Sequence, residues 1–133
     1  MDGIKIGIDM AKGKDMTALK LCLPFCPSLN MAYPTAKTGR RVKSKRFKDW
    51  LKECPDLSGS PSFKKCTVSY LFFFPDDRVR DGQSYMKLPL DYLVDQGILE
   101  DDNRRIVKGE QWFDGGIDRK NPRIEITIKE ILL

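Results

Sequence analysis

Eight carboxylates lie between Asp76 and Asp102, against three basic residues, in a chain of 133 residues that has no histidine. That combination narrows the chemistry. Without an imidazole there is no Ser-His-Asp or Cys-His nucleophile and no histidine-ligated metal, so catalysis would run on carboxylates, lysine, bound water or a hard metal ion. Gln83, Lys87 and Asp91 recur at every fourth position, which in an unbroken helix sets them on roughly one face. Asp81 before that segment and Asp102 after the next turn could converge on Mg²⁺, which would orient water and stabilise the charge that develops when a phosphodiester is cut. Lys87 would then face the phosphate or the attacking water. Each residue also has a plainer use: Asp81 as a helix N-cap, Lys87 as the i,i+4 partner of Asp91 at about 0.2–0.5 kcal/mol, Asp101 and Asp102 as turn residues.

A cationic run complements the carboxylates. From Lys37 to Lys48 (KTGRRVKSKRFK) seven of twelve residues are basic and none is acidic. Lys37, Arg40, Arg41, Lys43, Lys45, Arg46 and Lys48 could hold phosphates, or could simply be the solvated face of a helix. The net charge of +5 and the pI near 9.0 agree with either use. Four cysteines invite a zinc test, and the spacing fails it: Cys22 and Cys26 share an apolar strand-like run, whereas Cys54 and Cys66 stand alone. The opening residues lack a long apolar stretch with a small-residue cleavage site, which predicts a cytoplasmic protein with free thiols. The longest apolar run, Tyr70 to Phe74, is far too short to span a membrane.

These residues need a scaffold to position them, and the length suits one domain burying roughly two-thirds of its unfolded surface. Alternation in Ala18 to Leu23 (ALKLCL) predicts a strand, and CPSLNMAYP a loop. Phe47, Trp50, Leu51 and Cys54 recur at helical spacing, with Ser44 as N-cap and Pro55 as the stop. Cys66 to Phe74 (CTVSYLFFF) reads as a buried strand. A second helix is expected from about Ser84 to Gln96, with Gly97 as its C-cap. Pro89 inside it means a kink or a later start, because a mid-helix proline costs about 3 kcal/mol. Arg104 to Trp112 and Arg123 to Leu132 read as two more strands around the turn FDGGIDRKNP. The order β-α-β-α-β-β predicts a single α+β domain, a mixed sheet with two helices packed on it.

Three blocks in this order resemble the RusA-type Holliday junction resolvases of phages and prophages, from about Ala18 to Glu130. LPFCPSLNMAYPTAKTGRRVKSKRFKDW is similar to that family's Pro-x-Pro-Pro-Ser-x-Asn loop, basic stretch and first helix, with Cys26 where a proline is common. RDGQSYMKLPLDYLVDQGILEDD is similar to its Arg-Asp-x-Asp-Asn-x-x-Lys, Asp-x-Leu, Gly and closing Asp-Asp. RIEITIKE matches its last strand. The resemblance implies a Mg²⁺-dependent (or Mn²⁺-dependent) endonuclease resolving four-way junctions in branched DNA, with Asp81, Lys87 and Asp102 catalytic and residues 37–48 on the DNA. It further implies a homodimer, since two symmetric cuts need two equivalent sites. The second aspartate of the family's Asp-x-Asp is Gln83 here, and the asparagine after it is Ser84. Glutamine keeps a carbonyl oxygen for Mg²⁺ beside Asp81 and Asp102 but loses a full charge. The alternative is therefore a weakened or inactive relative that binds branched DNA or serves as a regulatory partner.

Residues 1–15 fall outside the resemblance, which starts a domain at residue 16. GIDMAKGKD has the wrong glycine spacing for a P-loop, and Asp15 follows Lys14 where Ser or Thr is needed, so no nucleotide cofactor is expected. IKIGIDMAKGKDMTALKLCL also looks like the opening hairpin of an RNase H-like nuclease, in which Asp9 would be a metal ligand. The simpler expectation is a short extension.

Overall fold

Apolar residues at every second position turn three runs into strands with one buried face. In the computed structural model, which describes residues 7–10 and 17–132, these are β2 (Thr17–Pro24), β3 (Cys66–Phe74) and β5 (Arg123–Glu130). Leu19, Leu21 and Leu23 of β2, Val68, Tyr70 and Phe72 of β3, and Ile124, Ile126 and Ile128 of β5 are all buried on that face. With β1 (Gly7–Met10) and β4 (Val107–Ile117) they form a five-stranded sheet in the order β1-β2-β5-β3-β4. β3 and β4 run parallel and the other neighbours antiparallel. A parallel pair needs a long crossover, and the segment holding α3 (Lys87–Asp95) supplies it.

From β2 onward the elements follow the expected β-α-β-α-β-β order. The expected loop after β2 contains one helical turn, α1 (Leu29–Ala32), capped by Ser28, whose Oγ accepts from the Met31 N–H at 3.3 Å. α2 (Lys45–Glu53) starts at the expected cap: Ser44 Oγ accepts from the Phe47 N–H at 3.1 Å. Its buried Phe47 and Trp50 face inward, and the Trp50 indole donates to the Pro24 carbonyl at 2.8 Å. Trp50 meets Tyr92 of α3 edge-on at 5.9 Å, so the two helices lie together over the sheet.

Two boundaries differ from expectation. The second helix begins at Lys87 rather than Ser84, after a separate 3₁₀ turn over Gly82–Tyr85. Pro89 is then its third residue, where the backbone N–H has no intrahelical acceptor to lose. The fourth strand is Val107–Ile117 rather than Arg104–Trp112. Asn103 draws Arg105 and Ile106 into a turn through its Oδ1 and carbonyl. At the other end Gly115 and Gly116, expected in a turn, are absorbed as a bulge opposite Phe73, with Gly116 at φ +103°.

Gly7–Met10, from the expected extension, pairs with Thr17–Lys20 as an edge strand. The boundary between residues 15 and 16 and the side chain of Asp9 lie outside the described residues. All four cysteines are free. Burial pushes the Cys54 thiol up to about 12 and that of Cys66 to about 11, so both act as small apolar groups. Among the described residues no helix is long and apolar enough to cross a membrane.

Candidate active site

The 3₁₀ turn over Gly82–Tyr85 presents the first acidic residue. Asp81 caps it from an extended backbone: its Oδ1 accepts from the Gln83 N–H at 3.1 Å and its carbonyl from the Ser84 N–H at 3.0 Å. Gly82 is buried under the indole of Trp112, and a Cβ there would stand 2.3 Å from the ring. Only glycine admits that approach. With Gly82 pinned, Asp81 and Gln83 remain on the surface on either side of it. Tyr85 anchors the turn from behind, its ring 5.1 Å from Phe25 and its carbonyl accepting from Cys26 Sγ at 3.4 Å.

Arg80 fixes the entry to the turn. Its side chain is 10% exposed, and its guanidinium hydrogen-bonds Asp76 Oδ1 at 2.7 Å and lies over the rings of Phe25 and Phe74. The Arg80 hydrogen bond, with one from the Arg78 N–H, holds the Asp76 carboxyl well below the usual carboxylate range. Asp76 is therefore committed to structure.

Lys87 joins residues distant in sequence. Its ammonium is 2.7 Å from Asp102 Oδ2 and 3.0 Å from Asp91 Oδ1. The hydrogen bond to Asp102, ahead of the one to Asp91, raises the Lys87 pKa; the same bond lowers that of Asp102. Asp102 is oriented in turn by Asp101, whose Oδ1 accepts from the Asp102 N–H at 2.7 Å and whose Oδ2 accepts from the Asn103 amide at 3.1 Å. The plainer uses foreseen for Asp81, Lys87 and Asp101 are thus all realised, and Lys87 adds the long-range pair with Asp102.

The structure brings Lys87, Asp91 and Asp102 together, whereas Asp81 and Gln83 sit on the adjoining turn. Gln83 does not continue the face of Lys87 and Asp91, because the 3₁₀ turn ends before α3 begins. Among the described residues no group of three His, Cys, Asp or Glu side chains is close enough to hold a metal ion.

The cationic arm forms a loop and one helix face beside this cluster. Its seven basic residues are all exposed. The loop closes through the Ala36 N–H to the Arg40 carbonyl at 2.7 Å and a bridge between Thr35 and Arg41. Lys45 pairs with Asp49 at 2.7 Å, Arg46 reaches Met31 Sδ at 3.8 Å, and Lys43 lies over the Phe47 ring. Among the described residues Lys37, Arg40, Arg41 and Lys48 have no ion-pair partner. Tyr33 connects arm to cluster: its ring meets Phe47 edge-on at 5.0 Å. Burial and then the charge of Asp91 raise the pKa of its phenol, with Lys87 opposing.

Sequence reasoning missed the Gly82–Trp112 contact, which joins residues thirty positions apart and has no local signature. It also missed the pairing of Asp76 with Arg80, for which the i,i+4 spacing was a usable signal. No protein-family model matches the chain, and no curated protein is similar enough to serve as a relative.

Proposed function

We propose that this chain is a Mg²⁺-dependent, structure-selective endonuclease that cuts four-way DNA junctions as a homodimer. The observation that carries the reading is the Lys87 ammonium held between Asp102 and Asp91, beside the turn bearing Asp81 and joined through Tyr33 to the cationic arm. The resemblance to RusA-type resolvases supports it by naming the same three residues, Asp81, Lys87 and Asp102.

The donor chemistry suits the metal. Asp81, Asp102 and Gln83 are exposed oxygen donors, and Mg²⁺ is ordinarily held by one or two carboxylates plus water and substrate phosphate rather than by a full protein cage. When bound, Mg²⁺ supplies a water of lowered pKa and neutralises charge on the phosphoryl oxygens. The chain's own groups do the rest. Asp81 and Asp102 would hold the ion, with the Gln83 carbonyl as a neutral third donor. Lys87, kept cationic by its two carboxylates, binds a phosphate oxygen next to the scissile bond. Lys37, Arg40, Arg41 and Lys48 bind flanking phosphates and set the register of the DNA.

One observation favours a second reading, a protein that binds branched DNA without cutting it. Gln83 stands where the family carries a carboxylate, and that loss weakens metal capture. A synthetic four-way junction incubated with Mg²⁺ or Mn²⁺, beside a gel shift in EDTA, separates the two. Paired symmetric nicks support the nuclease, a retained shift without nicks supports the binder, and neither result would remove both.

A further inference from the structure

Basic residues gather at the end of the sheet where β3 and β4 begin and β5 ends. Thr67 pairs with Lys129, Cys66 pairs with Val107 and Glu130, and the Cys66 N–H donates to the Ile106 carbonyl at 2.8 Å. Those pairings set Lys64 and Lys65, ahead of β3, between Lys129 on one side and Arg104 and Arg105, ahead of β4, on the other. The three segments span two strand spacings, roughly 10 Å. Lys108 follows at the start of β4. All six bases are exposed, and the acids in the same corner are Glu130 and Glu100, whose N–H donates to the Phe63 carbonyl. Among the described residues Lys64, Arg104, Arg105, Lys108 and Lys129 have no ion-pair partner. Like charges held this close repel one another, and a polyanion relieves that repulsion.

One turn joins this corner to the acidic cluster. Asn103 winds it: its Oδ1 accepts from the Arg105 N–H at 2.9 Å, and its carbonyl accepts from the Ile106 N–H at 3.0 Å and the Val107 N–H at 2.9 Å. Asp102 enters the turn, and Arg104 and Arg105 leave it. On its other side the Lys87 ammonium meets Asp91, toward Tyr33, which packs on Phe47 of α2 beside the cationic arm. The cluster therefore lies between two basic surfaces. We propose that the corner of Lys64, Arg104, Arg105, Lys108 and Lys129 is a second phosphate-binding surface, which holds one duplex arm of a branched DNA while residues 37–48 hold another. The arm belongs to the helix layer and the corner to the end of the sheet, so one stiff duplex does not follow both. A branched DNA offers a duplex to each, with its branch point at the cluster. Phosphate contacts on two duplexes fix the orientation of the branch without reading its sequence. The proposal rests on the DNA-binding part of the reading above and is independent of cleavage.

The test is a salt series of binding titrations in EDTA, read by fluorescence anisotropy, with the full chain on a synthetic four-way junction and on a linear duplex as long as two of its arms. The parent's log-log slope should be steeper on the junction. Arg104→Ala, Arg105→Ala and Lys129→Ala together should flatten the junction slope by about 3 per bound chain, at about 0.9 for each phosphate contact, and leave the duplex slope unchanged. Arg104→Lys with Arg105→Lys keeps the charges and should keep the slope; a loss there would assign the effect to a disturbed turn and overturn the proposal. Equal parent slopes on the two DNAs, a triple variant with the parent's slope on the junction, or one flattened equally on both would overturn it too, and would leave the DNA reading in place. A parent that binds neither DNA would remove that reading and this proposal together. Cleavage is not read, so a chain that binds without cutting is tested as fully as one that cuts.

Discussion

At the residue scale, the site holds groups whose loss should separate chemistry from binding. Asp81→Asn and Asp102→Asn remove carboxylates without touching the arm, so cleavage should be abolished while junction affinity holds or rises as phosphate repulsion falls. Loss of affinity in both variants would assign the two residues to structure. Gln83→Asp adds a charge beside Asp81 and should raise Mg²⁺ affinity and cleavage rate together, the rate by about tenfold, or about 1.4 kcal/mol of barrier. Gln83→Glu carries the same charge to a different point and should do less, because Mg²⁺ has strict octahedral demands; equal gains would indicate a diffuse electrostatic effect instead. Asp76 makes the opposite kind of statement. Its folded-state pKa is depressed, so the pair with Arg80 stabilises the fold at neutral pH. That contribution is lost as pH falls below ~4, the ordinary aspartate value, toward the depressed one. Asp76→Asn should lower stability at pH 7 and flatten the acid limb of a stability profile; acid limbs that run parallel would exclude the linkage.

At the scale of elements, the arm and the turn make separable demands. Arg40, Arg41 and Lys48 have no ion-pair partner among the described residues, whereas Lys45 is tied to Asp49. If about five to seven phosphates are met, log affinity for junction DNA should fall against log salt with a slope of about −4 to −6. The triple change of Arg40, Arg41 and Lys48 to Ala should flatten that slope by about 3, and Lys45→Ala by less; an unchanged slope takes the arm off the DNA. Most elements were legible because their signals are local. Alternation gave β2, β-branched and aromatic composition gave β3, and Ser44 with the helical spacing of Phe47 and Trp50 gave α2. The misplaced boundaries have non-local or special causes. The indole of Trp112 over Gly82 and the Asp81 cap favour a 3₁₀ turn over an earlier start to α3, and a sheet neighbour, β3, converts Gly115–Gly116 from turn to bulge. Lys87 and Asp91 were legible as an intrahelical pair. Their convergence with Asp102 rests on the turn after α3, which no periodicity encodes.

For the whole molecule, the aromatic part of the core is also the mounting of the site. Phe72, fully buried at the centre of β3, has ring centroids at 5.9–6.3 Å from Phe25, Tyr70, Phe74, Tyr85 and Trp112. These rings come from the loop after β2, β3, the 3₁₀ turn and β4, so a void at Phe72 loosens Tyr85 and Trp112, which hold the turn that carries Asp81 and Gln83. Truncating a buried Phe to Ala costs about 3–5 kcal/mol, a large part of the about 5–15 kcal/mol that holds a domain folded. Phe72→Leu is milder and should keep the chain folded. It should lower the denaturant midpoint without changing the slope, and it should speed hydrogen exchange at the Ser84 and Met86 amides, which bond within the turn to Asp81 and Gln83. Leu19→Ala is the control: it makes a cavity in β2, equally buried but away from the rings that surround Phe72. It should lower the midpoint while leaving exchange in the turn unchanged wherever that exchange proceeds by local opening. If both variants accelerate exchange in the turn equally, the site is coupled only to global stability. If neither does, the turn is held by Gly82 against Trp112 and by the Asp81 cap, independently of the ring beneath it.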